Sequence, residues 1–162
     1  MMIFNEFSKK FLRKLDSYDE YLEKAKLNCQ EIQTQIKEFD KEDHIYSMED
    51  TKEELGLDDD LIETLLEDYV KQIISTIPHF KVLVKQIKKD ISENKVPNFQ
   101  PLRDLAHKNL GVARNLRIKD AQKILNSIMK EYDADIIEKY IDYLESCAIL
   151  LKPKVAYEVY SS

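Results

Sequence analysis

Apolar residues recur along the chain at steps of three and four, and five segments keep that rhythm. The first runs from about Phe4 to Phe39, with Phe4, Phe7, Phe11, Leu15, Tyr18, Leu22, Ala25, Cys29, Ile32, Ile36 and Phe39 on one seam. That is a heptad pattern held for about five heptads. A continuous helix of that length would span about 54 Å, against about 30 Å for a 20-residue bundle helix. The excess predicts one of two arrangements. The rod overhangs and pairs with a second copy, a homodimer through residues 4–39, or it packs on its own bundle as a helix or helical hairpin.

The second segment, Leu61 to about Glu93, carries Ile62, Leu66, Tyr69, Ile73, Ile77, Phe80, Val84, Ile87 and Ile91. Pro78 interrupts it without shifting the phase, which predicts a kinked helix or two nearly collinear ones. Asp58, Asp59 and Asp60 supply its cap and the negative charge its N-terminus favours. His79 at this point reads as a surface or wedge residue. After the loop "NKVPNFQP" come helices over about 98–116, 119–131 and 133–151, separated by short turns. The pattern therefore predicts an all-α fold. An antiparallel four-helix bundle over 59–152, its first helix kinked at Pro78, follows an N-terminal helical extension (1–41) and an acidic connector (42–58). The tail, 153–162, carries no helical signal and is expected to be loose or lightly docked.

Composition narrows the chemistry. The 162 residues include only two glycines, Gly56 and Gly111, so no clustered glycine loop exists to cradle a nucleotide phosphate. Cys29 and Cys147 lack CxxC spacing and read as reduced core or seam residues. His44, His79 and His107 fall in separate segments without HxxxH spacing, which argues against a zinc site. No cofactor of its own is expected. The start meets Glu6, Lys9 and Lys10 too early for a signal peptide, and no apolar run approaches membrane-spanning length. A cytoplasmic protein with no membrane partner is expected.

The net charge of −6 is unevenly spread. Twelve acidic residues and one lysine lie between Glu42 and Asp68, whereas seven basic and three acidic residues lie between Pro97 and Glu131. The basic stretch has few aromatics and no DNA-binding pattern, so nucleic acid is not expected. An acidic protein surface suits it better.

On a helical wheel, Leu102, Leu105, Ala106, Asn109, Val112, Ala113 and Leu116 fall within about 120° of arc, the predicted core stripe. His107 points away from it. Arg103 lies one turn before His107, and Arg114 lies about two turns after it near the same meridian. Gly111 lies one turn after His107. Helical side chains lean toward the N-terminus, so residue i+4 covers the surface around residue i. A glycine there leaves the imidazole uncovered, at a cost of about 1 kcal/mol against alanine. Geometry alone also fits a surface histidine beside an incidental glycine.

The string "AHKNLGVARNL" resembles the signature of histidine-containing phosphotransfer (HPt) domains, commonly AHxLKGxAxNLG. Ala106, His107, Gly111, Ala113, Asn115 and Leu116 stand at matching offsets. "LDDDLIETLLEDYVKQIISTIPHFKVLVKQI" looks like the family's acidic-start helix with its internal proline, and the last two helices resemble its closing hairpin. The likeness covers residues 57–152. Asn109 and Leu110 stand where the family has leucine and lysine, and Arg117 replaces the glycine after "NL".

The resemblance implies a phosphocarrier of a two-component phosphorelay, with no nucleotide site of its own. His107 would be the phosphoacceptor, trading a phosphoryl group with the aspartate of a response-regulator receiver domain or a hybrid histidine kinase. The receiver would bring the Mg²⁺. Arg103, Lys108 and Arg114 are the candidate phosphate-neighbouring cations in place of the missing lysine, and Gly111 and Leu110 the partner-docking positions. Two alternatives stand beside it: a degenerate HPt-like adaptor that docks a receiver or kinase without transfer, and a structural coiled-coil dimer.

Overall fold

The computed structural model describes the backbone of residues 6–36 and 46–162 and the side chains of 17–36 and 46–162. Phe4, Phe39 and His44 lie outside the described residues, as do the side chains of Phe7, Phe11 and Leu15. Seven helices and no strand make up the described residues. They are α1 (Glu6–Gln35), α2 (Met48–Leu55), α3 (Asp59–Ser92), α4 (Gln100–Asn115), α5 (Lys119–Lys130), α6 (Ala134–Leu151) and α7 (Pro153–Ser161). The protein is an all-α helical bundle, and no described helix is long and apolar enough to cross a membrane.

Local chemistry sets the helix ends. Asp58 accepts from the Leu61 amide at 2.8 Å and opens α3. Asp133 accepts from the amides of Asp135 and Ile136 and opens α6. Each satisfies donors that a first helical turn leaves without partners. α3 is a single helix of 34 residues that runs through Pro78. Pro78 lies on its exposed side, while Ile73, Ile74, Ile77, Phe80 and Val84 stay buried on either side of it.

The apolar face of α3 meets α4, α6 and α7, and α5 packs against α4 and α6. Ion pairs trace the direction of the α3–α6 contact. Lys81 reaches Glu145 at 3.7 Å, Lys88 reaches Asp135 at 3.1 Å and also Glu138, and Glu63 pairs with Lys152 just beyond α6. Rising numbers on α3 meet falling numbers on α6, so these two helices are antiparallel. The pairs are largely exposed, and each contributes little to stability.

The structure adds two helices that the periodicity does not predict. The acidic connector is not wholly irregular. Ser47 caps α2 by accepting from the Asp50 amide at 3.1 Å, and Gly56 ends it at φ +66°, in the left-handed region glycine favours. The tail is not loose. Pro153 opens α7, which buries Ala156 and Tyr157 against its neighbours. Proline at a first helical position is favourable, because its missing N–H would have had no partner there.

α1 packs on α6 and touches α7. Ala25, Cys29 and Ile32 of its seam are buried, and the Tyr18 and Tyr21 rings meet those of Tyr157 and Tyr160 at 4.7–5.5 Å. Over these positions the seam is covered by the chain's own bundle.

This region also holds a half-buried carboxylate. Burial raises the carboxyl pKa of Glu145 above its ordinary value, with nearby Lys81 pulling the other way. A carboxylate with a raised folded-state pKa contributes stability below its unfolded pKa, which is lost as pH rises through the folded one. Glu145→Gln should therefore be more stable than wild type at neutral pH, and the two should converge in acid below the ordinary carboxylate range. Urea titrations across pH check this, and a less stable variant at pH 7 contradicts it.

Candidate functional site around His107

α4 begins at Gln100 with Pro101 in its first turn and runs to Asn115. Leu102, Ala106, Asn109, Leu110, Ala113 and Leu116 are buried, while Leu105 and Val112 are only half-buried. The observed stripe is thus rotated toward Leu110 relative to the predicted one. α5 is the helix most closely packed on α4. Leu110 is 2% exposed, so its side chain belongs to the core, and its expected role in partner docking is corrected.

Asn109, a polar residue in the predicted core, is 1% exposed. Its Nδ2 donates to the Leu105 carbonyl at 2.8 Å, and its Oδ1 accepts from Gln72 Nε2 at 3.4 Å. A buried amide is costly only when its hydrogen bonds are lost. Here they are made, and one ties α4 to α3.

His107 is exposed, as are its neighbours Lys108, Gly111 and Arg114. Gly111 lies inside the helix, and a Cβ added there would meet no atom within 4 Å. Neither backbone conformation nor packing requires a glycine at this position. The fold tolerates its cost without any compensating contact.

The three candidate cations separate. The Arg103 guanidinium carbon lies 4.7 Å from the Tyr132 ring centroid and 5.6 Å from that of Phe99, and the two rings meet edge-on at 5.3 Å. Its Nε and Nη2 are buried without a hydrogen-bond partner among the described residues. Arg103 is therefore held between rings at the corner joining α5 to α6, an arrangement that stabilises a cation through the ring faces. Lys108 and Arg114 stay on the open surface. By helical geometry Arg114 lies about 20° from the His107 meridian, and its side chain leans back toward it.

Arg117 closes α4 in the left-handed region at φ +61°. Ile118 N–H donates to the Ala113 carbonyl at 3.0 Å and Arg117 N–H to the Arg114 carbonyl at 3.1 Å, the paired bonds of a Schellman ending. The Arg117 side chain donates through Nε to Glu54 Oε2 and through Nη1 to the Arg114 carbonyl, both at 2.7 Å. Tyr46 Oη donates to the Leu116 carbonyl at 3.1 Å. Sequence reasoning missed this corner clamp, in which the acidic connector grips the end of α4. The other described histidine, His79, is also exposed, on α3. Among the described residues no three His, Cys, Asp or Glu side chains group as metal ligands do.

No family model, curated protein or solved structure matches this chain.

Gly111→Ala should raise stability by about 1 kcal/mol, because the site is helical and unobstructed. An equal or larger loss in thermal unfolding would mean that the glycine serves the fold. Arg117→Gly should be about 1 kcal/mol more stable than Arg117→Ala, because both lose the ion pair and only alanine keeps a Cβ in the left-handed region. Equal stabilities by denaturant titration would contradict the strain assigned there.

Proposed function

We propose that this chain is a histidine phosphotransfer protein of a two-component phosphorelay, carrying a phosphoryl group on His107 to or from a receiver-domain aspartate. The observation that carries this reading is an exposed histidine one turn ahead of a helical glycine that the fold does not need. Clearance around the imidazole is the function that would offset the glycine's cost.

Two further features support it. α3, α4, α5 and α6 touch in a closed ring, the contact pattern of a four-helix bundle with short connections. The left-handed backbone at Arg117 is the conformation a glycine would adopt, at the position where the resembled family has one.

The chemistry asks little of this chain. A ring nitrogen of His107 attacks phosphorus in line, a P–N bond forms, and the P–O bond to the receiver's aspartate breaks, releasing a carboxylate. The ring's surplus proton passes to water. Phosphoryl transfer rests on positioning and charge neutralisation, to which Lys108 and Arg114 can contribute from the open surface. The receiver brings the Mg²⁺. The cytoplasm is the compartment such a relay would occupy.

One set of observations favours a second reading, an adaptor that docks a receiver or kinase without accepting phosphate. Leu110 is buried where the resembled family has lysine, and Arg103 is held by Phe99 and Tyr132.

Incubation with a phosphorylated receiver and Mg²⁺ separates the two. The relay reading predicts an acid-labile, base-stable label on the chain that His107→Gln abolishes. It also predicts that Gly111→Gln, which restores cover over the imidazole, slows labelling by about tenfold or more while the bundle stays folded. A stable complex without label would favour the adaptor, and a labelled His107→Gln chain would sink the relay reading.

A further inference from the structure

Cys29 on α1 and Cys147 on α6 are the only cysteines in the chain, and both are buried, at 5% and 9% exposure. No disulfide joins them. They lie where the N-terminal helix meets the bundle, and the Cys147 thiol interacts with both the Cys29 sulfur and the Asp120 carboxylate. Small buried residues are found here: Ala25 and Cys29 on α1, and Cys147 and Ala148 on α6. Small side chains let two helices approach closely, and a disulfide needs Cα atoms within about 7 Å. Both cysteines also line one cavity of about 450 Å³, together with Gln33, Tyr46, Tyr69 and Asp120. A peroxide molecule, close in size to the water that occupies about 30 Å³ of liquid, fits such a space easily.

We infer that Cys29 and Cys147 are a redox pair that hydrogen peroxide closes to an intramolecular disulfide, locking the N-terminal helix onto the bundle. Burial, the Cys29 sulfur and the Asp120 carboxylate all push the Cys147 thiol pKa up and keep it protonated. Cys29, which lines the same cavity, is assigned the first attack, with Asp120 beside Cys147 to carry the proton of the second step. Cys29 loses its proton to cavity water and attacks one peroxide oxygen. The O–O bond breaks, leaving a sulfenic acid and a hydroxide that takes up a proton to become water. Cys147 sulfur then attacks the sulfenic sulfur. Its proton passes through Asp120 to the departing hydroxide, giving a second water. Two thiols lose two electrons in total, and one peroxide is reduced to two waters.

The disulfide would tie two parts of the chain far apart in sequence, where such a link restrains the unfolded chain strongly. It would not touch the His107 face, so it stands or falls independently of the relay reading.

The test uses the intact chain, exposed to a few equivalents of hydrogen peroxide, then denatured and alkylated for mass measurement. The expected result is loss of both alkylatable thiols and of about 2 Da, one hydrogen from each cysteine. The product should run as a monomer without reductant and revert with dithiothreitol. Amide exchange over α1 from Tyr21 to Gln35 should slow by about tenfold or more, as local opening is suppressed. Cys147→Ala should instead stop at the sulfenic acid on Cys29. If that variant does not fold, the wild-type mass decides. Two thiols still alkylatable, a sulfinic acid without a disulfide, or disulfide-linked dimers would each overturn the pairing.

Discussion

The architecture depends on covering one apolar stripe, the buried face of α3 from Ile62 to Ile87. No single helix can do this. α3 has 34 residues, while α4 has 16, α6 has 18 and α7 has 9. The stripe is shared among α4, α6 and α7, and this sharing sets the order of the molecule. α7 has a place to dock because α3 extends beyond the end of α6. α1 then packs on α6, whose Cys147 and Ala148 are buried. Burial of apolar area is the dominant favourable term, so the elements arrange themselves to complete it.

Burying a polar group in this core calls for partners, although Arg103 and Tyr21 bury polar atoms without a hydrogen bond among the described residues. Asn109 shows the rule, bonded along its own helix and across to Gln72. Glu145 shows its limit, since Lys81 at 3.7 Å does not fully offset the loss of water around the carboxylate. The charged chemistry of the protein is therefore kept to its rim, and the proposed site is there too. Exposure, open space and nearby cations meet on the outer side of α4, and the inner side holds it in place.

Much of this was legible in the sequence, because amphipathic periodicity reports burial directly. α3 to α6 fall within about two residues of their predicted bounds, the usual margin for helix ends. Two helices, α7 and α2, were missed. Pro153, which follows the end of α6, is the start of α7, in a tail whose residues carry no helical periodicity. Ser47 and Gly56 frame α2 as cap and ending, within a stretch whose composition reads only as an acidic connector. At the site, the exposure of His107 and Gly111 follows from the wheel. The burial of Leu110 does not, because a wheel places the centre of a stripe and the neighbouring helix decides how far it extends. Nor could the wheel show Arg103 caught by Phe99 and Tyr132, since that contact joins α4 to a corner about thirty residues away in sequence.

The chain has three histidines, two of them exposed among the described residues, and the proposed relay assigns the phosphoryl group to one, His107. His79 shares the exposure of His107 but lacks a glycine one turn on. Phosphorus NMR of the ¹⁵N-histidine-labelled chain, after exposure to a phosphorylated receiver, tests that assignment directly. The account predicts one phosphorus–nitrogen resonance, coupled to the ring of His107 and lost on acidification. A resonance assigned to His79 or His44 would contradict it.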